Sequence, residues 1–256
     1  MRKICYISGT RADFGLMKNS LVAINQDQEL SLDIIVTGMH LLTKYGNTYK
    51  EILDAGLDVI GTLKVKLSGH NSSQMAEALG DQIIGITRIL EKNKPDLLLL
   101  LGDRGEMLAG AITALHLNIP IVHIHGGELS GSIDESIRHA ISKIAHYHLT
   151  ATNNSKNRLI KMGEKSKNIF VVGAPGLDGI IINELLSKKK LFDKYKIDNN
   201  KNFILVLFHP VVQQIKDSRE QTTILLDSLL SFNKQILALM PNSDAGSDII
   251  GNTLKE

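Results

Sequence analysis

Three acids define the chemistry this sequence could perform. Asp103 follows an apolar run, Pro95 to Leu101, in the turn Gly102-Asp103-Arg104. Glu128 follows a second run, Ile119 to Ile124, in the turn His125-Gly126-Gly127-Glu128, and Asp134 lies in the polar loop beyond it. Carboxyl groups gathered at one edge can donate and accept protons, provided that burial or mutual repulsion lifts at least one of them toward neutrality. The plainer alternative makes Asp103 and Asp134 helix N-caps, since both precede helical patterns, and for Asp134 the two readings stand level. For Glu128, in a Gly-Gly-Glu turn, function is favoured.

Histidines crowd the same region: His123, His125, His139, His146 and His148. His123 and His125 have strand spacing, which would put both on one face, as two metal ligands could be. Neither a His-Glu-x-x-His pattern nor a cysteine pair accompanies them, so the expectation is no metal, with His123 packed and His125 lining a cleft. His139, next to Arg138 and past Asp134, is either a proton carrier or an ordinary helix-face histidine. His209-Pro210 ends a later strand and would face the same cleft from the other side, as a phosphate or proton contact. Near the N-terminus, Gly9-Thr10-Arg11-Ala12-Asp13-Phe14-Gly15 joins a strand to a helix. Backbone N–H groups and the helix dipole can hold a phosphate at such a turn, with Arg11 adding a charge-assisted contact. It matches neither G-x-G-x-x-G nor a Walker A sequence, and Arg11 and Asp13 could instead simply pair with each other. A serine nucleophile has little support, because Gly-x-Ser-x-Gly is missing.

Positioning these groups requires a sheet. Strands are expected over Lys3–Ser8, Leu30–Thr37, Leu57–Val65, 95–101, 119–124, Tyr147–Thr152 and Ile169–Gly173, alternating with helical patterns across short turns. That alternation predicts an α/β fold with a Rossmann-like, doubly wound parallel sheet. Such sheets bind ligands at the carboxyl ends of their strands, where the acids fall. A short helix is expected over Asn47–Ala55. A polar loop, Ser68–Ser73, should cap the helix through Met75, Leu79, Ile83 and Ile89 with its last serines. After Gly173-Ala174-Pro175-Gly176 the character changes. Asp178–Lys189 can form a helix, Lys190–Asn202 is polar, and Phe203–Phe208 starts afresh, followed by a helix through Thr223, Leu226 and Leu229 and a strand over Gln235–Met240. The expected division is a domain over 1–176, a linker and connecting helix over 177–202, and a partial second domain over 203–256. Two strands bury too little apolar surface for an independent domain. The expectation is therefore a second domain cut short, with a subdomain packed on the first as the alternative.

Composition narrows the classes. The chain has 256 residues, 43% hydrophobic and 22% charged, with a formal net charge of +2, too small to suggest a nucleic-acid or membrane partner. The run Lys188-Lys189-Lys190 reads as a solvated helix end. The lone Cys5, inside an apolar strand, excludes a disulfide framework and reads as a buried small hydrophobe. Tryptophan is absent and aromatics are 4%, which argues against a stacking surface for single-stranded nucleic acid. No segment reads as a signal peptide or membrane span, so the cytoplasm is the default location.

Taken together, Gly9-Thr10-Arg11-Ala12-Asp13, Thr37-Gly38-Met39-His40, Gly102-Asp103-Arg104, His123-Ile124-His125-Gly126-Gly127-Glu128, Ile133-Asp134-Glu135-Ser136-Ile137-Arg138-His139, Gly173-Ala174-Pro175-Gly176, His209-Pro210 and Pro241-Asn242-Ser243-Asp244 resemble the hydrolysing UDP-N-acetylglucosamine 2-epimerases of sialic-acid and related nonulosonic-acid synthesis. The resemblance implies two Rossmann-like domains in a GT-B arrangement with a nucleotide sugar between them, here with the second domain incomplete. It implies conversion of UDP-N-acetylglucosamine and water to N-acetylmannosamine and UDP. A base removes the C2 proton as UDP leaves C1, and water adds to the resulting 2-acetamidoglucal with inversion at C2. By the same resemblance Asp103, Glu128 and Asp134 perform the acid–base work, with His139 as a further proton carrier. Arg11 and His209 contact phosphate, while Arg104, His125, Asn242 and Ser243 complete substrate binding. The scheme calls for no nicotinamide, metal or other cofactor, and the full-length form is expected to be a homodimer. Three alternatives stay open: the same chemistry on a UDP- or GDP-linked 2,4-diacetamido-2,4,6-trideoxyglucose, a non-hydrolysing 2-epimerase, and an inactive sugar-nucleotide-binding fragment.

Overall fold

A computed structural model describes residues 1–66, 72–182, 185–242 and 244–256. Its first part runs β1 (Arg2–Ser8), α1 (Arg11–Gln26), β2 (Leu30–Thr37), α2 (Lys50–Asp54), β3 (Val59–Leu63), α3 (Ser72–Asn93), β4 (Leu97–Leu101), α4 (Gly105–His116), β5 (Ile121–Ile124), α5 (Ile133–Ile144), β6 (Tyr147–Thr150), α6 (Asn153–Lys161), β7 (Ile169–Val171) and α7 (Asp178–Ile182). The strands pair in parallel in the order β3-β2-β1-β4-β5-β6-β7. This is the Rossmann-like, doubly wound α/β sheet that the alternation predicts. The order reverses between β1 and β4, and a crevice opens at the carboxyl ends of the strands at such a point.

Alternate residues of the central strands enter two separate cores, as a sheet covered on both faces requires. Cys5, Ile7, Leu98 and Leu100 pack with Ile86 and Leu90 of α3, Met107 and Ala111 of α4 and Ile141 of α5. Tyr6, Leu99, Leu101 and Val36 face the other way, onto Phe14, Met17 and Leu21 of α1 and Ile52 of α2. Burial pushes the Cys5 thiol upward, as expected of a packed residue rather than a reactive one.

Several boundaries differ from expectation for local reasons. β3 pairs with β2 only from Val59 to Leu63, because its partner strand ends at Thr37. β6 stops at Thr150 because Thr152 is already the N-cap of α6, its hydroxyl accepting from the Ser155 N–H at 3.1 Å. Most of the polar loop Ser68–Ser73 lies outside the described residues.

The chain divides into two compact units, Met1–Leu67 with Ala76–Ile181, and Ser68–Met75 with Ile182–Glu256. The later part carries α8 (Lys188–Tyr195), β8 (Phe203–Leu207), α9 (Ser218–Leu230), β9 (Gln235–Leu239) and α10 (Ser247–Thr253). The single helix expected over Asp178–Lys189 is instead α7 and α8. Ser187 caps α8, and Phe192 stacks edge-on against Phe203 at 5.7 Å, so the helix extends into the stretch read as merely polar. The lysine run is exposed at the N-terminal end of this helix, where it forms the first turn. α10 was not expected; its Gly251 lies against Met240, where a Cβ would come within 2.9 Å of the methionine methyl. β8 and β9 form a two-stranded parallel sheet on which Leu205 and Leu207 remain more than half exposed. Among the described residues, no helix is long and apolar enough to cross a membrane.

Candidate functional site

The carboxyl ends of β4 and β5 carry the most chemistry. Gly102 adopts φ +78°, a left-handed turn that glycine enters without a Cβ penalty, and delivers Asp103 to the sheet edge. The Asp103 carboxylate does not cap α4; the N-cap is Arg104, which makes no side-chain cap hydrogen bond. Asp103 is instead paired with the Arg138 guanidinium, and Arg138 also donates to the Glu128 carbonyl at 3.1 Å. One arginine thus ties the turn after β4 to the turn after β5. A guanidinium partner matches an ionised carboxylate, the form that accepts a proton.

The turn after β5 is held from three further sides. The Glu128 carboxylate accepts a hydrogen bond from Ser155 of α6, and Arg158 donates to the Gly127 carbonyl. Glu135 accepts from the Ser130 and Gly131 N–H groups at 2.8 and 2.9 Å, which hold its carboxyl below the usual range. Glu128 therefore shares Arg138 with Asp103 through its backbone, while its carboxylate is directed to Ser155. Asp134 is not a cap either. Ser132 is the N-cap of α5, accepting from the Asp134 N–H at 3.3 Å, while its hydroxyl donates to the Asp134 carboxylate at 3.1 Å. Asp134 lies one turn before Arg138 on the same helix.

His125 departs from expectation. β5 ends at Ile124, and His125 has φ +62°, so the strand-spacing argument that put both histidines on one face does not hold. His125 is half-buried and its pKa is lowered by that burial, against an opposing pull from Glu128. His123 is fully buried with both ring nitrogens engaged, one by Ser142 and one by the Gly102 carbonyl. Among the described residues, no group of three or more histidine, cysteine or carboxylate side chains could hold a metal ion. Nδ1 of His139 is buried with no hydrogen-bond partner among the described residues.

The turn after β1 also behaves differently from a free phosphate cradle. The Gly9 and Thr10 N–H groups donate to the Asp13 carboxylate at 3.0 and 2.6 Å, so the donors proposed for an anion are already engaged. Asp13 completes a capping box with Thr10 and does not pair with Arg11. Arg11 is 72% exposed, its nearest ion-pair partner being Glu51 at 3.8 Å. Arg104 turns back toward Glu106, at 3.6 Å. In the later unit, the Asn242 N–H donates to Nδ1 of His209 at 3.2 Å, bringing these two expected contacts together. Ser243 lies outside the described residues.

Sequence reasoning missed two features here. Arg138 stands four residues after Asp134, a spacing visible in the sequence, but its partner Asp103 is distant along the chain. Glu106 lies buried at the crevice between β1 and β4, pressed on Gly9 and Gly38, where any Cβ would come within 2.5 and 2.7 Å of its carboxylate. Beside it runs a buried chain: Thr48 to His40 at 2.9 Å, His40 to Ser8 at 2.9 Å, and Ser8 to Asp13 at 2.5 Å.

The buried histidines His40 and His123, with Asp13, predict a pH dependence of stability. Burial lowers His40 to about 4 and His123 likewise to about 4. Both histidines gain protons on unfolding near their ordinary value of 6.5, so their contribution is complete above that pH and lost as the pH falls toward 4. Asp13 opposes them. Burial raises it to about 6 from 3.8, with the Ser8 hydroxyl pulling it down and Glu106 pushing it up. Its contribution is complete below 3.8 and lost as the pH rises through 6. Two histidines outweigh one aspartate displaced by a similar amount, so unfolding free energy should rise between pH 4 and 6.5 by on the order of a few kcal/mol. Urea midpoints measured across that range test this; a flat or falling profile would contradict neutral burial of the histidines.

Comparison with known proteins decides the family. Residues 22–256 match the family described as UDP-N-acetylglucosamine 2-epimerase. The chain belongs to that family. It is 48% identical over 256 residues to the UDP-N,N'-diacetylbacillosamine 2-epimerase (hydrolyzing) of Legionella pneumophila, covering 100% of this chain and 68% of that one. It is 36% identical over 250 residues to the UDP-N-acetylglucosamine 2-epimerase of Neisseria meningitidis, covering 98% and 65%. The chain thus spans about two thirds of the length of these relatives. Among solved structures, the Neisseria meningitidis UDP-GlcNAc 2-epimerase bound to UDP-GlcNAc shares the fold with a TM-score of 0.77 at 19% identity, covering 99% of this chain and 70% of that one. The Methanocaldococcus jannaschii enzyme in complex with UDP-GlcNAc and UDP gives a TM-score of 0.77 at 20% identity, covering 99% and 70%.

Proposed function

We propose that this chain carries the proton-transfer centre of a hydrolysing 2-epimerase acting on a UDP-linked 2-acetamido sugar. The observation that carries the reading is identity of 48%, along the whole chain, to a relative named as a hydrolysing 2-epimerase. The Asp103–Arg138 pair at the sheet edge supports it. That relative's name favours UDP-N,N'-diacetylbacillosamine, the 2,4-diacetamido-2,4,6-trideoxy sugar, over UDP-N-acetylglucosamine. UDP-N-acetylglucosamine remains the second reading because the Neisseria meningitidis relative carries that name.

In this proposal a carboxylate removes the C2 proton while the C1–oxygen bond to UDP breaks, giving the 2-acetamidoglucal. A proton then returns to C2 from the opposite face and water adds at C1. Asp103, Glu128 and Asp134 share the proton transfers, with His139 as a further carrier. Asp103, paired with a guanidinium, is held in the ionised form that a base needs, although the same pairing makes it a weaker base than a lone carboxylate. Arg104 and His125 belong to the sugar contacts. Arg11, His209, Asn242 and Ser243 belong to the diphosphate and nucleotide contacts, where departing negative charge needs cationic and N–H partners.

The test is release of UDP from each sugar nucleotide, by the 256-residue chain and by the same chain joined to the remaining C-terminal part of the Legionella pneumophila relative. UDP with a free 2-epimerised amino sugar is expected, with the diacetamido substrate preferred by about tenfold or more in kcat/KM. Release from UDP-N-acetylglucosamine alone would transfer the assignment to the second reading. No release from either would sink the proposal.

A further inference from the structure

The Gly102 peptide is tied to β5 at both of its polar groups. Its N–H donates to the Ile124 carbonyl at 2.9 Å, and its carbonyl lies 2.7 Å from Nε2 of His123. A carbonyl only accepts, so Nε2 carries the ring proton. Nδ1, 3.1 Å from the Ser142 hydroxyl, is then the acceptor, and the imidazole is held as one neutral tautomer. Burial keeps it neutral, with its pKa lowered to about 4. Room for the ring comes from Gly126, where a Cβ would lie 3.0 Å from both His123 Nδ1 and Ser142 Oγ. Gly102 is left-handed at φ +78°, and the residue it delivers is Asp103.

We propose that His123 is a positioning residue for Asp103: its Nε2–H fixes the Gly102 carbonyl, and with it the turn that presents the carboxylate to Arg138. The functional meaning of this rests on the proposed role of Asp103 in proton transfer. Without the imidazole donor, the half-buried carbonyl loses its partner and the turn can rotate about a residue that tolerates many conformations. Arg138 holds the side chain, whereas His123 holds the backbone beneath it.

The experiment is NMR of the 256-residue chain with labelled histidine and aspartate, comparing His123→Gln, which keeps a donor able to reach the carbonyl, with His123→Leu, which does not. The wild-type ring should show the Nε2-protonated tautomer between pH 6 and 8. The Asp103 carboxyl signal should be retained in His123→Gln. In His123→Leu the signal should move as the Arg138 pairing loosens. An unchanged Asp103 in His123→Leu, or equal shifts in both variants, overturns the proposal. Should His123→Leu fail to fold, the wild-type protein carries the test. A scalar coupling across the hydrogen bond from Nε2–H to the Gly102 carbonyl carbon is expected, and an Nδ1-protonated ring without that coupling overturns the proposal. In the turnover assay His123→Leu should lose about 100-fold in kcat with KM retained, the cost of a misplaced reacting group, while His123→Gln recovers most of it. Full turnover in Asp103→Asn would refute the role of Asp103 while leaving the NMR outcome standing. An unmoved Asp103 in His123→Leu refutes the positioning role alone.

Discussion

Asp103→Asn is expected to fold normally and to lose turnover by about three orders of magnitude, the scale of a removed general base or acid. Asparagine keeps the shape of the side chain, and its carbonyl oxygen can still accept from Arg138, so the link between the turns after β4 and β5 should survive. What disappears is the charge and the capacity to take a proton. Thermal unfolding should therefore differ little from wild type, and substrate affinity should fall far less than kcat. Turnover within tenfold of wild type would show that Asp103 is a structural anchor for Arg138 and that the acid–base work lies elsewhere.

Gly127→Ala is expected to be the most damaging small substitution at the site. Gly127 has φ +81°, which an L-residue adopts only with strain. An added Cβ would also lie 2.4 Å from the Ser155 carbonyl oxygen and 3.0 Å from its carbonyl carbon. These are backbone atoms of α6, so no side-chain rotation relieves the clash. The two effects together should cost about 3–5 kcal/mol in unfolding free energy, the range reached when strain and overpacking combine. Because Ser155 also binds the Glu128 carboxylate and Arg158 the Gly127 carbonyl, turnover should fall in the fraction that still folds. Gly131→Ala is the control: Gly131 also has positive φ, but nothing lies within 4 Å of a Cβ there. Equal losses in both variants would show that backbone strain alone, and not contact with α6, sets the effect.

What the sequence discloses and what it hides follow from how local each signal is. The strand ends at Leu101 and Ile124 were legible because an apolar run broken by a glycine or a polar turn needs no distant partner to be recognised. The parallel pairing of β4 with β5 followed from the helix between them. The shared face of His123 and His125 fails because periodicity carries no information on the sign of φ, and His125 turns left-handed where the strand stops. For Asp134 the capping and catalytic readings stand level on sequence, because Asp134 and Ser132 are both good N-caps, and only geometry gives the cap to Ser132. Asp13 could pair with its neighbour Arg11 on sequence alone, yet its carboxylate is bonded by Tyr6 and Ser8 of β1. Ser8 in turn meets His40, and Glu106 comes from another segment again to push the Asp13 pKa up. Arg138 shows the limit most clearly. Its spacing from Asp134 was visible, but its pairing with Asp103 exists only because β4 and β5 lie side by side.

The measurement that tests the central claim most directly is isotope incorporation during turnover of the diacetamido sugar nucleotide. The reaction would be run once in deuterium oxide and once in oxygen-18 water. Elimination followed by hydration predicts a released sugar with one deuterium at C2 and inverted configuration there, with oxygen-18 at C1 and none in UDP. Oxygen-18 in UDP would mean that the phosphorus–oxygen bond breaks instead. A product without deuterium at C2 would mean that no proton is removed there, and either result would contradict the account.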